Sequence, residues 1–161
     1  MKHKTRIDLD KKVRGTVVEL LERRLADSQD LYFQVKQAHW GVRGPRFIAL
    51  HEMFDKLADD IEDYTDDLAE RIAQLGSAVE GTVAVVAKRS TLPVYPLKAV
   101  SGDEHIEAVA VAIADFGAKV RADIDLASKA GDANTADLFT EISRGTDKWL
   151  WFVEAHQQSD R

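Results

Sequence analysis

Between Arg46 and Leu75 the apolar residues Phe47, Leu50, Phe54, Leu57, Ile61, Tyr64, Leu68, Ile72 and Leu75 recur at steps of three and four. A single apolar stripe sustained over about eight turns fits only a long helix buried along one side. Gly76 follows the last stripe residue, where a helix commonly ends.

The same period organises the rest of the chain. A first block runs from about Asp10 to His39, with Val17, Leu20, Leu21, Leu31, Val35 and Ala38 at helical spacing. It closes at Trp40-Gly41; Gly44-Pro45 marks the turn, and Pro45 suits the first position of the next helix, where its missing N–H is no loss. From Ser77 to Gly102 the pattern breaks. Val83, Val85 and Val86 suit either a short helix or an extended piece, and Pro93 and Pro96 enforce extended chain. That segment is too long for a tight hairpin and predicts a crossover along the length of a bundle. Ser101-Gly-Asp-Glu104 has the capping-box form. It opens a third stripe of Ile106, Val109, Ile113, Phe116, Val120, Ile124 and Ala127, ended by Ala130-Gly131-Asp132. A fourth block spans about Thr135 to Gln157, with Leu138, Ile142, Trp149 and Phe152. The expected architecture is all-α: a ferritin-like four-helix bundle with one long crossover, over residues 10–161. Residues 1–9 form a short basic tail.

Several classes are excluded. No apolar run approaches the ~20 residues of a membrane helix, and the polar start of the chain has no signal-peptide pattern. The chain has no cysteine, which removes disulfide, zinc-thiolate and Fe–S chemistry and points to a reducing compartment, most simply the cytoplasm. The net charge of −6 opposes nucleic-acid binding unless positive charge is segregated. It is segregated: residues 1–14 hold Lys2, Lys4, Arg6, Lys11, Lys12 and Arg14 against Asp8 and Asp10. Two readings stand for this stretch, a basic helix start and a phosphate-seeking tail.

The second block also carries His51, Asp55, Asp66 and Glu70. His51/Asp55 and Asp66/Glu70 are i, i+4 pairs, each sharing a helix face. Imidazole and carboxylate together suit iron, manganese or zinc. The competing reading is a solvated acidic face, since Asp55, Asp59, Asp60, Glu62, Asp63, Asp66, Asp67 and Glu70 form one acidic run. At about 100° per residue the four residues fall roughly 80–180° from the centre of the apolar stripe, so they point out of their own bundle. His51 and Glu70 lie about 28 Å apart along the axis, too far for one metal. An antiparallel two-fold partner with its axis near Asp60 and Ile61 sets His51 opposite Glu70 and Asp55 opposite Asp66. Two composite sites per dimer result, and bound cations would relieve the repulsion among the facing carboxylates. His39, at the end of the first block, is by default a cap or a packed ring. Trp40 is by default a core or interface aromatic.

Taken together, Lys36-Gln-Ala-His39-Trp40-Gly-Val-Arg-Gly44, Phe47-Ile-Ala-Leu-His51-Glu-Met-Phe-Asp55 and Asp66-Asp-Leu-Ala-Glu70-Arg71 resemble the signature of the Dps proteins, the mini-ferritins. The likeness continues through Gln74-Leu-Gly76, Tyr-Pro-Leu97, Thr135-Ala-Asp137 and Asp147-Lys-Trp-Leu-Trp-Phe152. The resemblance implies a hollow homo-dodecamer with ferroxidase sites at its two-fold interfaces. His39, His51 and Asp55 would come from one chain and Asp66 and Glu70 from its partner, with Trp40 beside the site. It implies oxidation of Fe(II), preferably by hydrogen peroxide, with ferric mineral stored inside and DNA protected; no organic cofactor and no membrane partner is expected. A nucleoid protein acting mainly by DNA binding is the alternative, with Lys2, Lys4 and Arg6 as its contacts. Asp137, Glu141 and Asp147 are the candidate carboxylates of the iron-entry pores. Two positions depart from the family pattern. Gly41 replaces a frequent Asn, and Gly145 replaces a frequent acidic residue in the pore segment.

Overall fold

The computed structural model describes residues 3–158. Five helices and no strand are found among them: α1 Lys11–Gly41, α2 Phe47–Gln74, α3 Val83–Arg89, α4 Gly102–Ala130 and α5 Ala133–Ala155. Helices α1 and α2 form one hairpin and α4 and α5 another, with α1 packed on α4 and α2 touching α5. The crossover between α2 and α4 carries α3 against α1. This is the expected ferritin-like bundle, and the short-helix option for Val83–Val86 is the one realised.

Local chemistry sets the helix boundaries. Asp10 caps α1 by accepting from the Lys12 N–H. The box at α4 is reciprocal: the Ser101 hydroxyl accepts from the Glu104 N–H while the Glu104 carboxylate accepts from the Ser101 N–H. Asp132 caps α5 through the Thr135 N–H. That cap starts α5 at Ala133, two residues before the expected boundary. Pro45 does not begin α2. The Phe47 N–H donates to the Gly44 carbonyl at 3.0 Å, which makes Pro45 the second residue of a four-residue turn. A proline's fixed φ suits that position, and Arg46 (φ −100°, ψ 17°) completes the turn and caps the helix.

The stripes meet in one core. Leu21, Leu31, Phe54, Ile61, Leu68, Phe116, Phe139 and Ile142 are all essentially inaccessible. Each such side chain contributes about 1.5–3 kcal/mol relative to exposure. Phe47, the first stripe residue, is instead 39% exposed. Two buried polar clusters tie the layers. Arg24 lies 3.0 Å from both Asp27 and Asp123, and Asp27 accepts from the Thr91 N–H at 2.7 Å, holding the crossover to α1. Arg71 donates to both oxygens of Asp132 at 3.0 Å and to the Thr135 hydroxyl at 3.0 Å, joining α2 to the start of α5. Among the described residues no helix is long and apolar enough to cross a membrane.

Candidate metal centre

The tight turn after α1 folds its last turn back onto the first turns of α2. His39 and His51 thereby stack, with ring centroids 3.7 Å apart and planes 20° apart. Each ring uses Nδ1 on the other's main chain: His39 Nδ1–H donates to the His51 carbonyl at 2.8 Å, and His51 Nδ1–H to the His39 carbonyl at 2.9 Å. In the neutral ring, a proton on Nδ1 leaves the lone pair on Nε2, the form a metal ligand requires.

Asp55 stands one turn beyond His51, its Oδ1 3.7 Å from His39 Nδ1. Its partner is Lys36, whose ammonium donates to Oδ1 at 2.6 Å. That hydrogen bond from Lys36 holds the Asp55 carboxyl below its ordinary range and raises Lys36. Sequence reasoning missed Lys36 as a member of the site. The signal was present, because Lys36 lies three residues before His39 on the same helix face.

Not all expected ligands meet within the chain. His39, His51 and Asp55 form one cluster, half-buried at the hairpin end of α2. Asp66 and Glu70 are exposed near the other end of the same helix, about 28 Å from His51 to Glu70 along the axis. Among the described residues no three His, Asp or Glu side chains are placed to hold a metal within one chain. The cluster supplies two imidazoles and one carboxylate, short of a complete ligand set within the chain. Trp40 (65% exposed), Ile48 (61%) and Phe47 flank it as unusually exposed apolar side chains. The Phe47 ring lies 5.0 Å from His51. Trp40 is therefore not a core residue of the single chain.

Of the remaining candidates, Asp137 and Glu141 are exposed on α5. Asp147 is also exposed, and its two oxygens accept from Arg121 at 2.5 and 2.6 Å, which neutralises it locally. Lys4 and Arg6 are exposed, while Lys2 lies outside the described residues. The tail is docked at residue 3: the His3 N–H donates to the Gly76 carbonyl at 3.1 Å. Gly41 and Gly145 each have a local structural reason. A Cβ on Gly41 would come 2.8 Å from Cε1 of the buried His105 ring, and a Cβ on Gly145 would overlap the Tyr64 hydroxyl. His105 and Tyr64 fill the room that larger residues would need.

The ferritin-like domain model matches residues 18–161. A DNA protection during starvation protein from Agrobacterium fabrum is 39% identical over 156 residues, covering 97% of this chain and 96% of the relative. The structure of Mycobacterium smegmatis Dps in a tetragonal form superposes with a TM-score of 0.92 at 31% identity, covering 98% of this chain and 96% of that one. Dps from Microbacterium arborescens in a high iron form gives 0.87 at 33% identity, covering 96% and 99%. With its helices, its crossover and its stacked histidine pair, the chain belongs to the Dps group of the ferritin-like family.

Proposed function

We propose that this protein oxidises Fe(II) at a site shared between two chains, preferably with hydrogen peroxide, and stores the ferric product inside a hollow dodecamer. The observation that carries this reading is the division of ligands along α2. A half-site with two Nε2 lone pairs and Asp55 lies at one end, and the carboxylates Asp66 and Glu70 lie at the other. An antiparallel two-fold neighbour brings the partner subunit's Asp66 and Glu70 to His39, His51 and Asp55. Iron is the substrate. Imidazole nitrogen and carboxylate oxygen together suit it, and the anionic oxygens favour the ferric product over Fe(II).

In the reaction two Fe(II) ions each give one electron to peroxide, whose O–O bond breaks to form water with two added protons. Paired electron delivery leaves no hydroxyl radical. Removing both Fe(II) and peroxide protects DNA, in keeping with the names of the relatives. The test is stopped-flow Fe(II) oxidation with peroxide against dioxygen, alongside a particle-mass measurement. Faster oxidation by peroxide in a twelve-chain particle is expected. Mass measurement giving only monomer or a 24-chain particle contradicts the reading.

Direct DNA contact is a separate arm. It is supported by exposed Lys4, Arg6, Lys11 and Lys12 near the start of the chain, and opposed by the net charge of −6 on every subunit. A salt-sensitive shift of DNA that is lost on deleting residues 1–7 is the expected sign of a tail-borne contact.

A further inference from the structure

Behind the half-site lies a polar pair that iron binding does not use. The hydroxyl of Tyr95, in the crossover, lies 2.5 Å from Nδ1 of His105 on α4, and with the ring proton on Nε2, toward the Gly41 main chain, Nδ1 is the acceptor of the phenol proton. The rings lie 24° from parallel with centroids 6.2 Å apart. Tyr95 is 8% exposed and His105 1%. The second ring nitrogen of His105, Nε2, is buried against the Gly41 main chain, with no well-formed hydrogen bond. It faces Gly41, where an added Cβ would come 3.1 Å from it. Gly41 is the last residue of α1 and follows His39 and Trp40 directly. Cα atoms two residues apart on a helix are separated by about 5 Å. The Tyr95–His105 pair therefore backs directly onto the turn that carries the metal ligand His39.

A phenol is hard to oxidise while it keeps its proton, because the radical cation it would form is a very strong acid. A base already hydrogen-bonded to the hydroxyl removes that obstacle, since the proton moves as the electron leaves. Burial pushes the Tyr95 phenol up to about 12 and His105 down from its ordinary value. A neutral phenol thus faces a neutral imidazole at pH 7. The imidazolium formed by proton transfer would lie at the C-terminal end of α1, where the negative end of the helix dipole favours a cation.

We propose that Tyr95, with His105 as its proton acceptor, donates an electron to the metal centre when a site holding a single Fe(II) meets hydrogen peroxide. This rests on the ferroxidase reading above. With two Fe(II) ions, peroxide draws one electron from each. With one, the iron supplies one electron, the O–O bond breaks, and one hydroxide leaves with an oxidising equivalent of hydroxyl radical behind it. Tyr95 fills that deficit. Its phenol gives up one electron, its proton passes to Nδ1 of His105, and the second oxygen leaves as hydroxide. One Fe(II), one peroxide, the phenol and the imidazole become one Fe(III), two hydroxides, a tyrosyl radical and an imidazolium. A later Fe(II) returns the electron, becoming Fe(III) as the proton moves back to Tyr95. Burial keeps the intervening radical from solvent.

The test uses the assembled protein with one Fe(II) per chain, added without oxygen and followed by one equivalent of hydrogen peroxide and rapid freezing. Electron paramagnetic resonance should show an organic radical whose line narrows when the chain is made with ring-deuterated tyrosine. Tyr95→Phe should abolish that signal and raise spin-trapped hydroxyl radical, and His105→Leu should lower the signal. Tyr32→Phe and Tyr64→Phe, which alter the other two of the three tyrosines, should keep it. Those two variants assign the radical by elimination if Tyr95→Phe does not assemble. Fe(III) absorbance in the same samples follows iron oxidation separately. Iron oxidised without a deuterium-sensitive radical, a radical that survives Tyr95→Phe, or one lost in Tyr32→Phe or Tyr64→Phe overturns the proposal and leaves the ferroxidase reading standing. Absence of iron oxidation overturns that reading and the proposal with it.

Discussion

His39 and His51 hold each other by reciprocal hydrogen bonds, each Nδ1–H on the other's main-chain carbonyl, at 2.8 and 2.9 Å. The hairpin itself therefore fixes both tautomers and the orientation of both rings, without the help of any ligand. Such preorganisation lowers the reordering needed when a ligand binds.

His51→Ala and Asp55→Ala should each slow peroxide-dependent Fe(II) oxidation by about tenfold or more, since even residues that only support ligands commonly contribute that much. Helix content by circular dichroism should remain, because both side chains are only half-buried and outside the core. Unchanged oxidation rates in both variants would remove these residues from the site.

On the proposed ligand set, Lys36 would compete with metal for Asp55. Its ammonium occupies Oδ1 at 2.6 Å and places a positive charge where the proposed divalent cation would bind. Lys36→Met should therefore strengthen Co(II) binding, measured calorimetrically without oxidant, by about threefold, the scale of a partly exposed ion pair. Weaker binding in the variant would show that Lys36 serves chiefly to orient Asp55.

Gly145→Ala should destabilise the chain by about 1–3 kcal/mol, because the new methyl group meets Tyr64, whose Cζ lies 2.8 Å from the ideal Cβ position. Tyr64→Leu introduced together with Gly145→Ala should recover part of the loss. Thermal unfolding of the single and double variants measures the coupling. Strictly additive effects would mean that the two positions do not share space.

The bundle was legible because each long helix writes its buried face as an apolar stripe, and that of α2 runs unbroken from Leu50 to Ile72. The proposed ligand face could be put forward from sequence because His51, Asp55, Asp66 and Glu70 keep helical spacing on the side opposite the stripe. Pro45 was misplaced because its fixed φ suits both a helix start and the second residue of a turn, and the hydrogen bond from Phe47 to Gly44 decides between them. Lys36 and His105 escaped notice for a different reason. A lysine on a helix is ordinarily a solvated charge, and only the fold of the hairpin sets this one against Asp55. His105 pairs with Tyr95 across the end of the crossover, a contact with no periodicity to announce it. The reasons for Gly41 and Gly145 were equally hidden, since the residues that fill their space come from other helices.

Glu104 gives a pH signature. Hydrogen bonds from the Ser101 and Val100 N–H groups and the Ser101 hydroxyl hold its carboxyl at about 2, against an ordinary value of 4.5. A depressed folded-state value stabilises the fold above pH 4.5, and that stabilisation is lost as the pH falls toward 2. The unfolding temperature of the native chain should exceed that of Glu104→Gln at neutral pH. The two should converge as the medium is acidified through that window. A gap that stays constant down to pH 2 would assign the effect to something other than the ionised capping box.

The shared site is tested most directly by mixing two damaged chains. On the proposed arrangement, His51→Ala and Glu70→Ala disable opposite halves of one composite site. In a two-fold dimer holding one chain of each, one site keeps both His51 and Glu70, and the other lacks both. Co-assembly from unfolded chains, confirmed by mass, should restore peroxide-dependent Fe(II) oxidation that neither variant shows alone, with at most about half of the sites active in each mixed dimer. A co-assembled mixture that stays as inactive as its parents would contradict a site divided between two chains.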